Sequence, residues 1–237
     1  MSTAPLFLVE DVGDGDSLAL TGDEGRHAAR VRRLAVGERV LVGNGRGTLA
    51  ECTVAAVTAD GLDLQVTARR YVPAPDPRLV VVQALPKGER AELAVETMTE
   101  LGVDVIVPWA AARSITQWHG ARGTKGLEKW RRTAREAAKQ SRRAWVPEVR
   151  DLVTTAEVVP TLVLHEAASA TLSSVALPDH GDIVLVVGPE GGIADDELDA
   201  FASAGATAVR LGEPVLRTST AGGAVLAALS VRLGRWS

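Results

Sequence analysis

The 237-residue sequence is poor in several residue types, and each shortage excludes a class of protein. Its single cysteine, Cys52, rules out an internal disulfide and any metal site built from cysteines, and its histidines lack metal-ligand spacing. No run of about 18 apolar residues occurs, so a membrane span is not expected. Residues 1–10 contain no basic segment and only a short apolar stretch, unlike a secretory signal. These absences predict a cytoplasmic protein that needs no metal.

What the sequence does contain is an uneven distribution of charge. The formal net charge is −4, but residues 113–150 hold eleven Lys and Arg against three acidic residues, whereas residues 151–237 hold four against eleven. A strongly basic segment inside an acidic protein indicates a local surface for a polyanion such as nucleic acid. Hydrophobic residues make up 46% of the chain, which is ordinary for a globular protein with a buried core.

Three segments of the chain differ in pattern. Residues 1–72 hold short β-type runs separated by glycine-rich turns, which favours a small β-barrel. Three prolines within residues 73–78 mark a stiff linker, because proline cannot join a sheet interior. Residues 79–237 alternate apolar strands with helices, which predicts an α/β domain whose mostly parallel sheet is covered on both faces. The predicted strands are 6–9, 38–42, 49–58, 62–68, 79–84, 103–108, 162–165, 183–187 and 206–211; the predicted helices are 22–34, 89–101, 126 to about 145, one from 195, and 218–233.

Two of these strands end in segments that predict a ligand site. The run 183–187 continues as Gly-Pro-Glu-Gly-Gly at 188–192, and the run 206–211 leads into Leu-Gly-Glu-Pro-Val-Leu-Arg-Thr-Ser-Thr-Ala at 211–221. The carboxyl ends of neighbouring parallel strands form the binding edge of α/β sheets, and glycine lets main chain approach a ligand closely. The glycine motifs of dinucleotide and P-loop phosphate sites are absent. Three nearby acidic residues suit a ligand with positive charge and no phosphate: Glu166, Glu190 and Glu213.

The two motifs together resemble those of the SPOUT methyltransferases. Their closest likeness is the RsmE family, which methylates N3 of a uridine in 16S ribosomal RNA. Segments 85–90 and 99–102 resemble the start of that family's catalytic domain, and 137–143 resembles its Glu-Gln-Ser-x-Arg stretch, except that Lys139 stands where glutamate is frequent. Residues 27–33 with 36–40 are similar to its PUA-like RNA-binding domain.

This resemblance implies a fold, a cofactor and partners. The fold would be a PUA-like β-barrel, residues 1–72, followed by a SPOUT α/β domain, residues 79–237, with a trefoil-knotted, mostly parallel sheet. S-adenosylmethionine (SAM) would be the methyl donor. The partner would be 16S rRNA or the assembled small ribosomal subunit, and a homodimer is expected by analogy.

The resemblance also implies roles for individual residues. Arg217 would stabilise negative charge on uracil, with a structural arginine that ties the knotted loops together as the alternative. Glu166 and Glu190 are candidates for the general base, and an RNA-assisted or solvent route stays open. Thr218 and Thr220 are expected to cap the last helix. The implied cofactor-binding residues are Leu164, His165, Gly188, Pro189, Glu190, Gly191, Leu211, Gly212, Leu216, Thr218 and Ala221.

The basic segment predicts an RNA-binding helix face. On the helix from 126 to about 145, an apolar stripe would face the sheet and a basic stripe would point outward. Few acidic residues are interleaved, so a polyanion would relieve the repulsion, although a solvated charged face is the alternative. The apolar stripe is Leu127, Trp130, Ala134, Ala137 and Ser141, and the predicted RNA-binding residues are Lys125, Lys129, Arg132, Lys139 and Arg143 of the basic stripe, with Arg30, Arg33 and Lys87 elsewhere.

Two other functions stay open. Methylation of a ribose 2′-O by another SPOUT branch is disfavoured, because the asparagine that usually follows a serine in the last motif is missing. A non-catalytic RNA-binding protein is disfavoured, because it would not need three glycines together at 188, 191 and 192. Cys52 is expected to be a structural thiol rather than a nucleophile, which argues against methylation of uracil C5.

Overall fold

The structure is a computed structural model that describes residues 4–88 and 90–236. The chain divides into two compact units. One contains the chain up to Ala74 together with Ala138–Val146, and the other contains Pro75–Ala137 and the chain from Pro147 onward. No helix in the described residues is long and apolar enough to span a membrane.

The first unit is built on a five-stranded sheet. Its elements are β1 (Leu6–Leu8), β2 (Ser17–Leu20), α1 (Gly22–Arg26), a π-type turn (His27–Val31), β3 (Arg39–Gly43), β4 (Thr48–Val57) and β5 (Leu62–Tyr71). The strand order is β1-β3-β4-β5-β2, with only β1 and β3 parallel. The sequence pattern predicts four of these strands and the helical turn. It does not predict β2, because the Ser-Leu-Ala-Leu sequence of that strand is short and has no β-branched residue.

The second unit is built on a seven-stranded sheet in which every neighbouring pair is parallel. Its strands are β6 (Arg78–Ala84), β7 (Val105–Trp109), β8 (Glu148–Val149), β9 (Leu162–Leu164), β10 (Ala170–Thr171), β11 (Asp182–Val187) and β12 (Thr207–Arg210); its helices are α2 (Arg90–Glu100), α3 (Gly120–Gln140), α4 (Asp195–Ser203) and α5 (Thr218–Arg232). The last three residues of α3, from Ala138 onward, belong to the first unit. The strand order is β10-β12-β9-β11-β6-β7-β8. The parallel sheet is confirmed, and the missed strands, β8 and β10, are each two residues long. The predicted start of α2 at Glu89 lies outside the described residues.

Helices cover both faces of this sheet. In β6, Leu79 and Val81 belong to one hydrophobic core, which also contains Met98 of α2 and Leu226 of α5. Val80 and Val82, which alternate with them along β6, belong to a second core with Phe201 of α4. Burial on both faces explains why β6, β7 and β11 read as nearly continuous apolar runs.

Helix α3 lies earlier in the chain than predicted at both ends. Its first turns are rich in glycine, a poor helix former, so the sequence pattern does not indicate where the helix begins. Gly126 is needed there because a Cβ would lie 2.6 Å from Cε2 of Trp118. At the other end Arg142 adopts φ 55°, and the N–H of Arg143 donates to the carbonyl of Ala138 at 2.9 Å, as in a Schellman motif. Arg143 therefore lies beyond the helix, and the expectation that it extends the basic stripe is wrong. Ser141 likewise cannot extend the apolar stripe, whereas Trp130, Ala134 and Ala137 are buried as predicted.

Lys139 is also a correction to the basic stripe. Its Nζ lies 2.7 Å from Oε1 of Glu24, and the two side chains are only 13% and 18% exposed. The expectation that Lys139 points outward is wrong. The helical wheel could not reveal this, because the partner lies in α1, far away in sequence.

Candidate active site

The candidate site lies where β9, β11 and β12 end. Because β9 pairs in parallel with both other strands, their carboxyl ends meet at one edge of the sheet. A cavity of about 360 Å³ opens there, closed on one side by the segment that leads from β12 into α5. Its volume falls within the range of small-molecule and cofactor sites.

Most of the residues that sequence analysis assigned to the cofactor or to catalysis line this one cavity. From the sequence-predicted set, the lining contains Leu164, His165, Glu166, Gly188, Pro189, Glu190, Leu211, Gly212, Leu216, Arg217, Thr218 and Ala221. Gly191 is not among the lining residues, nor is Glu213. The additional lining residues are Val187, Gly192, Ile193, Val209, Arg210, Pro214 and Val215. Their position beside the two motifs is the signal that could have found them.

The glycine loop after β11 is shaped by close approaches of the chain. A Cβ at Gly188 would lie 2.7 Å from Cγ1 of Ile193, and one at Gly191 would lie 3.1 Å from the carbonyl oxygen of Arg113. Gly192 adopts φ +74°, a region that favours glycine. Gly191 therefore serves the path of the loop past Arg113, while Gly188 and Gly192 border the cavity itself.

A buried carboxylate holds this loop in place. Glu197 in the first turn of α4 is 4% exposed, and its Oε2 accepts the N–H of Ala194 at 3.1 Å. Its Oε1 accepts the N–H of Ala112 at 2.8 Å and the hydroxyl of Thr155 at 3.0 Å. The hydroxyl oxygen of Thr155 in turn accepts the indole N–H of Trp109 at 3.1 Å. The carboxylate thus joins the end of the glycine loop to the segments that follow β7 and β8. By its place in the sequence, Glu197 is merely one of three acidic residues in the first turn of α4, where a negative charge complements the helix dipole.

A second carboxylate connects the cavity to the loop after β6. Oε1 of Glu190 accepts the backbone N–H of Lys87 at 3.2 Å. Lys87 therefore lies at the same edge of the sheet as the cavity, and its backbone rather than its exposed side chain makes this contact.

The segment between β12 and α5 offers unused backbone groups. Residues 212–216 are exposed, and their C=O groups, with the N–H groups of all but Pro214, make no hydrogen bond with any residue that the structure describes. Four of the five line the cavity, together with apolar side chains such as Leu164 and Ile193. Free backbone donors and acceptors next to an apolar wall can recognise the polar edge and the face of a planar heterocycle.

The charges that line the cavity are balanced rather than acidic. Glu166 and Glu190 are opposed by Arg210 and Arg217, so the expectation of an acidic pocket holds only in part. Arg217 occupies the N-cap position of α5, and its carbonyl accepts the N–H groups of Thr220 and Ala221. The expectation that Thr218 and Thr220 cap this helix is wrong, because the cap has no side-chain hydrogen bond. The side chains of Arg217 and Glu166 have no hydrogen bond or ion pair with any described residue.

The predicted RNA-binding residues are distributed over both units. In the second unit the side chains of Lys125 and Arg132 are exposed on α3, and Nζ of Lys129 lies 2.8 Å from Oε1 of Glu92. In the first unit Arg30 and Arg33 are exposed at the π-type turn, Arg33 with φ 55°. His27 of the same turn packs edge-on against Phe7, with ring centroids 6.3 Å apart, which is a structural contact.

Comparisons with known proteins agree with both units. The RNA methyltransferase domain family model matches residues 73–230, and that of the RNA methyltransferase PUA domain matches residues 20–67. The chain is 47% identical to the ribosomal RNA small subunit methyltransferase E of Mycobacterium bovis, over 98% of this chain and 94% of that protein. It is 29% identical to the protein of the same name from Bacillus subtilis, over 93% and 92%. The crystal structure of the ribosomal RNA small subunit methyltransferase E from Neisseria gonorrhoeae bound to S-adenosyl methionine matches with a TM-score of 0.86 at 26% identity, over 97% of this chain and 98% of that one.

Proposed function

Because the chain belongs to the ribosomal RNA small subunit methyltransferase E family, we propose that it methylates N3 of a uridine in 16S ribosomal RNA with SAM as the methyl donor. It is a SAM-dependent RNA methyltransferase with a SPOUT-type α/β domain and a PUA domain, and these predictions are confirmed. The observation that carries the assignment of the site is the single cavity at the ends of β9, β11 and β12, which gathers both motifs.

The residues of this cavity fit SAM. The unpaired backbone of residues 212–216 would offer donors and acceptors to the polar edge of the adenine, and Leu164 and Ile193 would offer apolar surface to its ring. Gly188 lets the loop pack against Ile193, where a side chain would collide, and so keeps main chain at the cavity wall. The carboxylates of Glu166 and Glu190 complement a positively charged ligand. When bound there, SAM supplies a methyl group on a sulfonium centre, which is an electrophile.

The chain's own task is to make the nucleobase a nucleophile. Uridine N3 carries a proton at neutral pH, so its loss and the resulting negative charge on N3, O2 and O4 must be stabilised. The guanidinium of Arg217 has no partner among the described residues at the cavity wall and can donate two parallel hydrogen bonds to neighbouring uracil atoms. Arg217 is the N-cap of α5, so the backbone that carries this side chain is held in place by the helix.

Glu166 is our candidate to accept the proton from N3. It follows β9 at the cavity wall and is exposed, and its carboxylate has no partner among the described residues. Glu190 is the weaker candidate, because its Oε1 already accepts the N–H of Lys87. We assign Glu190 a positioning role between the glycine loop and the loop after β6.

We also propose that the enzyme acts as a cytoplasmic homodimer on RNA within the small ribosomal subunit. Large apolar side chains remain exposed on α2 and α5, with Leu93 53% and Val231 64% exposed, which suits a face between two copies. Sedimentation of the purified protein tests this part: a single species at twice the chain mass supports it, and a monomer at micromolar concentration contradicts it.

Methyl transfer in vitro tests the proposed reaction. Purified protein, SAM and small ribosomal subunits from cells that lack the gene are incubated, and the RNA is digested to nucleosides for mass spectrometry. The proposal expects 3-methyluridine and no other new nucleoside. Arg217→Ala should lose most activity while its SAM affinity in calorimetry changes little, and Arg217→Lys should recover only part because lysine lacks the planar fork. A different methylated nucleoside, or full activity of Arg217→Ala, would contradict the assignment.

A further inference from the structure

A second cavity in the methyltransferase unit has the make-up of a nucleobase site. It encloses about 270 Å³ and is lined by Pro86, Thr116, Trp118, Arg122, Lys129 and Trp130, among others. We propose that this tryptophan cavity holds an unstacked base of the substrate RNA that flanks the target uridine. The inference rests on the proposed function in one respect, namely that the RNA strand crosses this edge of the sheet.

The position of the cavity supports this role. The first cavity lies at the ends of β9, β11 and β12, and the tryptophan cavity lies beyond β6, the next strand of the same sheet. The loop after β6 connects them. Pro86 and Gly88 of that loop line the tryptophan cavity, while the N–H of Lys87 donates to Glu190 of the first cavity. One strand of RNA could therefore place adjacent nucleotides in both.

The aromatic wall of the cavity is preorganised. Trp118 packs on the backbone of α3 at Gly126, where a Cβ would lie 2.6 Å from its ring. Its ring meets that of Trp130 edge-on, with centroids 5.2 Å apart and an interplanar angle of 73°. Trp130 is buried, but Trp118 remains partly exposed and forms part of the cavity wall. The hydroxyl of Thr116 donates to the carbonyl of Pro86 at 3.0 Å, and this hydrogen bond links the loops that follow β6 and β7 at the cavity wall. A partly exposed, fixed indole is the type of surface on which single-stranded bases stack.

The charge around the mouth favours a nucleotide over an uncharged ligand. Lys129 is neutralised by Glu92, so the charge that remains in the lining is that of Arg122. Arg122 is exposed and has no partner among the described residues, and Lys125 lies three residues further along the same helix. An aromatic wall beside an unpaired cation binds a base through its face and the adjoining phosphate through charge.

Substitution of Trp118 tests the proposal. Methylation of small ribosomal subunits from gene-deficient cells is measured under single-turnover conditions for the wild type, Trp118→Ala and Trp118→Phe. Loss of one stacked base predicts that Trp118→Ala raises the half-saturating enzyme concentration about 5- to 150-fold. Trp118→Phe, which keeps an aromatic face, should stay much closer to the wild type. SAM affinity should be the same in all three proteins.

Further measurements distinguish base stacking in the tryptophan cavity from a general loss of folding. Thermal unfolding shows whether Trp118→Ala is folded at the assay temperature, and Arg122→Gln, a change at an exposed residue, should weaken RNA binding and reduce its salt dependence by about one ion. The proposal would be overturned if Trp118→Ala and Arg122→Gln left the half-saturating enzyme concentration unchanged. It would also be overturned if these variants lost SAM affinity by the same factor as they lost RNA binding. If the wild type methylates nothing, the proposed function fails, and binding of a labelled 16S rRNA fragment then decides. Weaker binding by both variants supports the cavity, and equal binding refutes it.

Discussion

Removal of the Glu197 carboxylate should loosen the glycine loop and destabilise the second unit. Three hydrogen bonds, from Ala112, Ala194 and Thr155, would be lost in Glu197→Ala. A hydrogen bond to a charged group contributes about 1.5–3 kcal/mol, and water that enters the shortened site offsets part of the loss. We therefore expect destabilisation by about 3–5 kcal/mol. At about 2–4 °C per kcal/mol for a chain of this size, Tm should fall by roughly 6–20 °C.

Calorimetric melting and SAM titration of matched variants check this reasoning. In either orientation of its amide, Glu197→Gln keeps one oxygen acceptor but places its N–H₂ group against the remaining donors, so it should lose about half as much stability. Asp196→Ala removes an exposed acid from the same first helical turn and should cost less than about 1 kcal/mol. SAM affinity should fall in Glu197→Ala and remain unchanged in Asp196→Ala. Equal melting temperatures for the Glu197→Ala and Asp196→Ala variants would refute the reasoning.

Three further perturbations have definite expected outcomes. Gly192→Ala forces a Cβ into φ +74°, so it should cost about 1–2 kcal/mol and raise the Kd for SAM in calorimetry; an unchanged Kd would contradict this. Lys139→Ala leaves Glu24 largely buried without its cation and should cost about 3 kcal/mol in urea unfolding, whereas additional replacement of Glu24 by leucine should restore much of it. The Asp76 carboxylate, 2.9 Å from Nδ1 of His180, raises the pKa of that imidazole, and the hydrogen bonds from His180 and Gly181 lower the pKa of Asp76. The pair therefore stabilises the fold at pH values between the ordinary pKa of an aspartate and that of a histidine. This contribution disappears as the pH rises through the folded-state pKa of His180 or falls through that of Asp76. NMR titration should show a lower His180 pKa in Asp76→Asn than in the wild type.

The architecture was largely predictable because its signals are local. The apolar strands of the parallel sheet are buried on both faces, so β6 and β11 stand out as continuous runs. The two motifs could be joined into one site because parallel strands must end at the same edge. Twelve of the sequence-predicted residues line one cavity for that reason, although their roles in binding stay a prediction.

What could not be predicted depends on partners that are distant in sequence. Lys139 belongs by its helical position to a basic stripe, and only the folded chain shows that Glu24 pairs with it. Glu197 looks like a helix-dipole residue, yet its acceptors serve segments 42 and 85 residues away. The early start of α3 depends on Trp118 lying over Gly126. Glycine is a poor helix former, but this position requires it because a side chain would collide with the indole. Two-residue strands such as β8 carry too short a pattern to detect.

Methylation of uridine N3 at the cavity that contains Arg217 is tested most directly in cells. The measurement is nucleoside mass spectrometry of 16S ribosomal RNA from cells that lack the gene and carry either the wild-type gene or the Arg217→Ala variant. We predict that 3-methyluridine disappears on deletion, returns with the wild type, and does not return with Arg217→Ala expressed at the same level. A 3-methyluridine content that is unchanged by the deletion would contradict the proposed reaction.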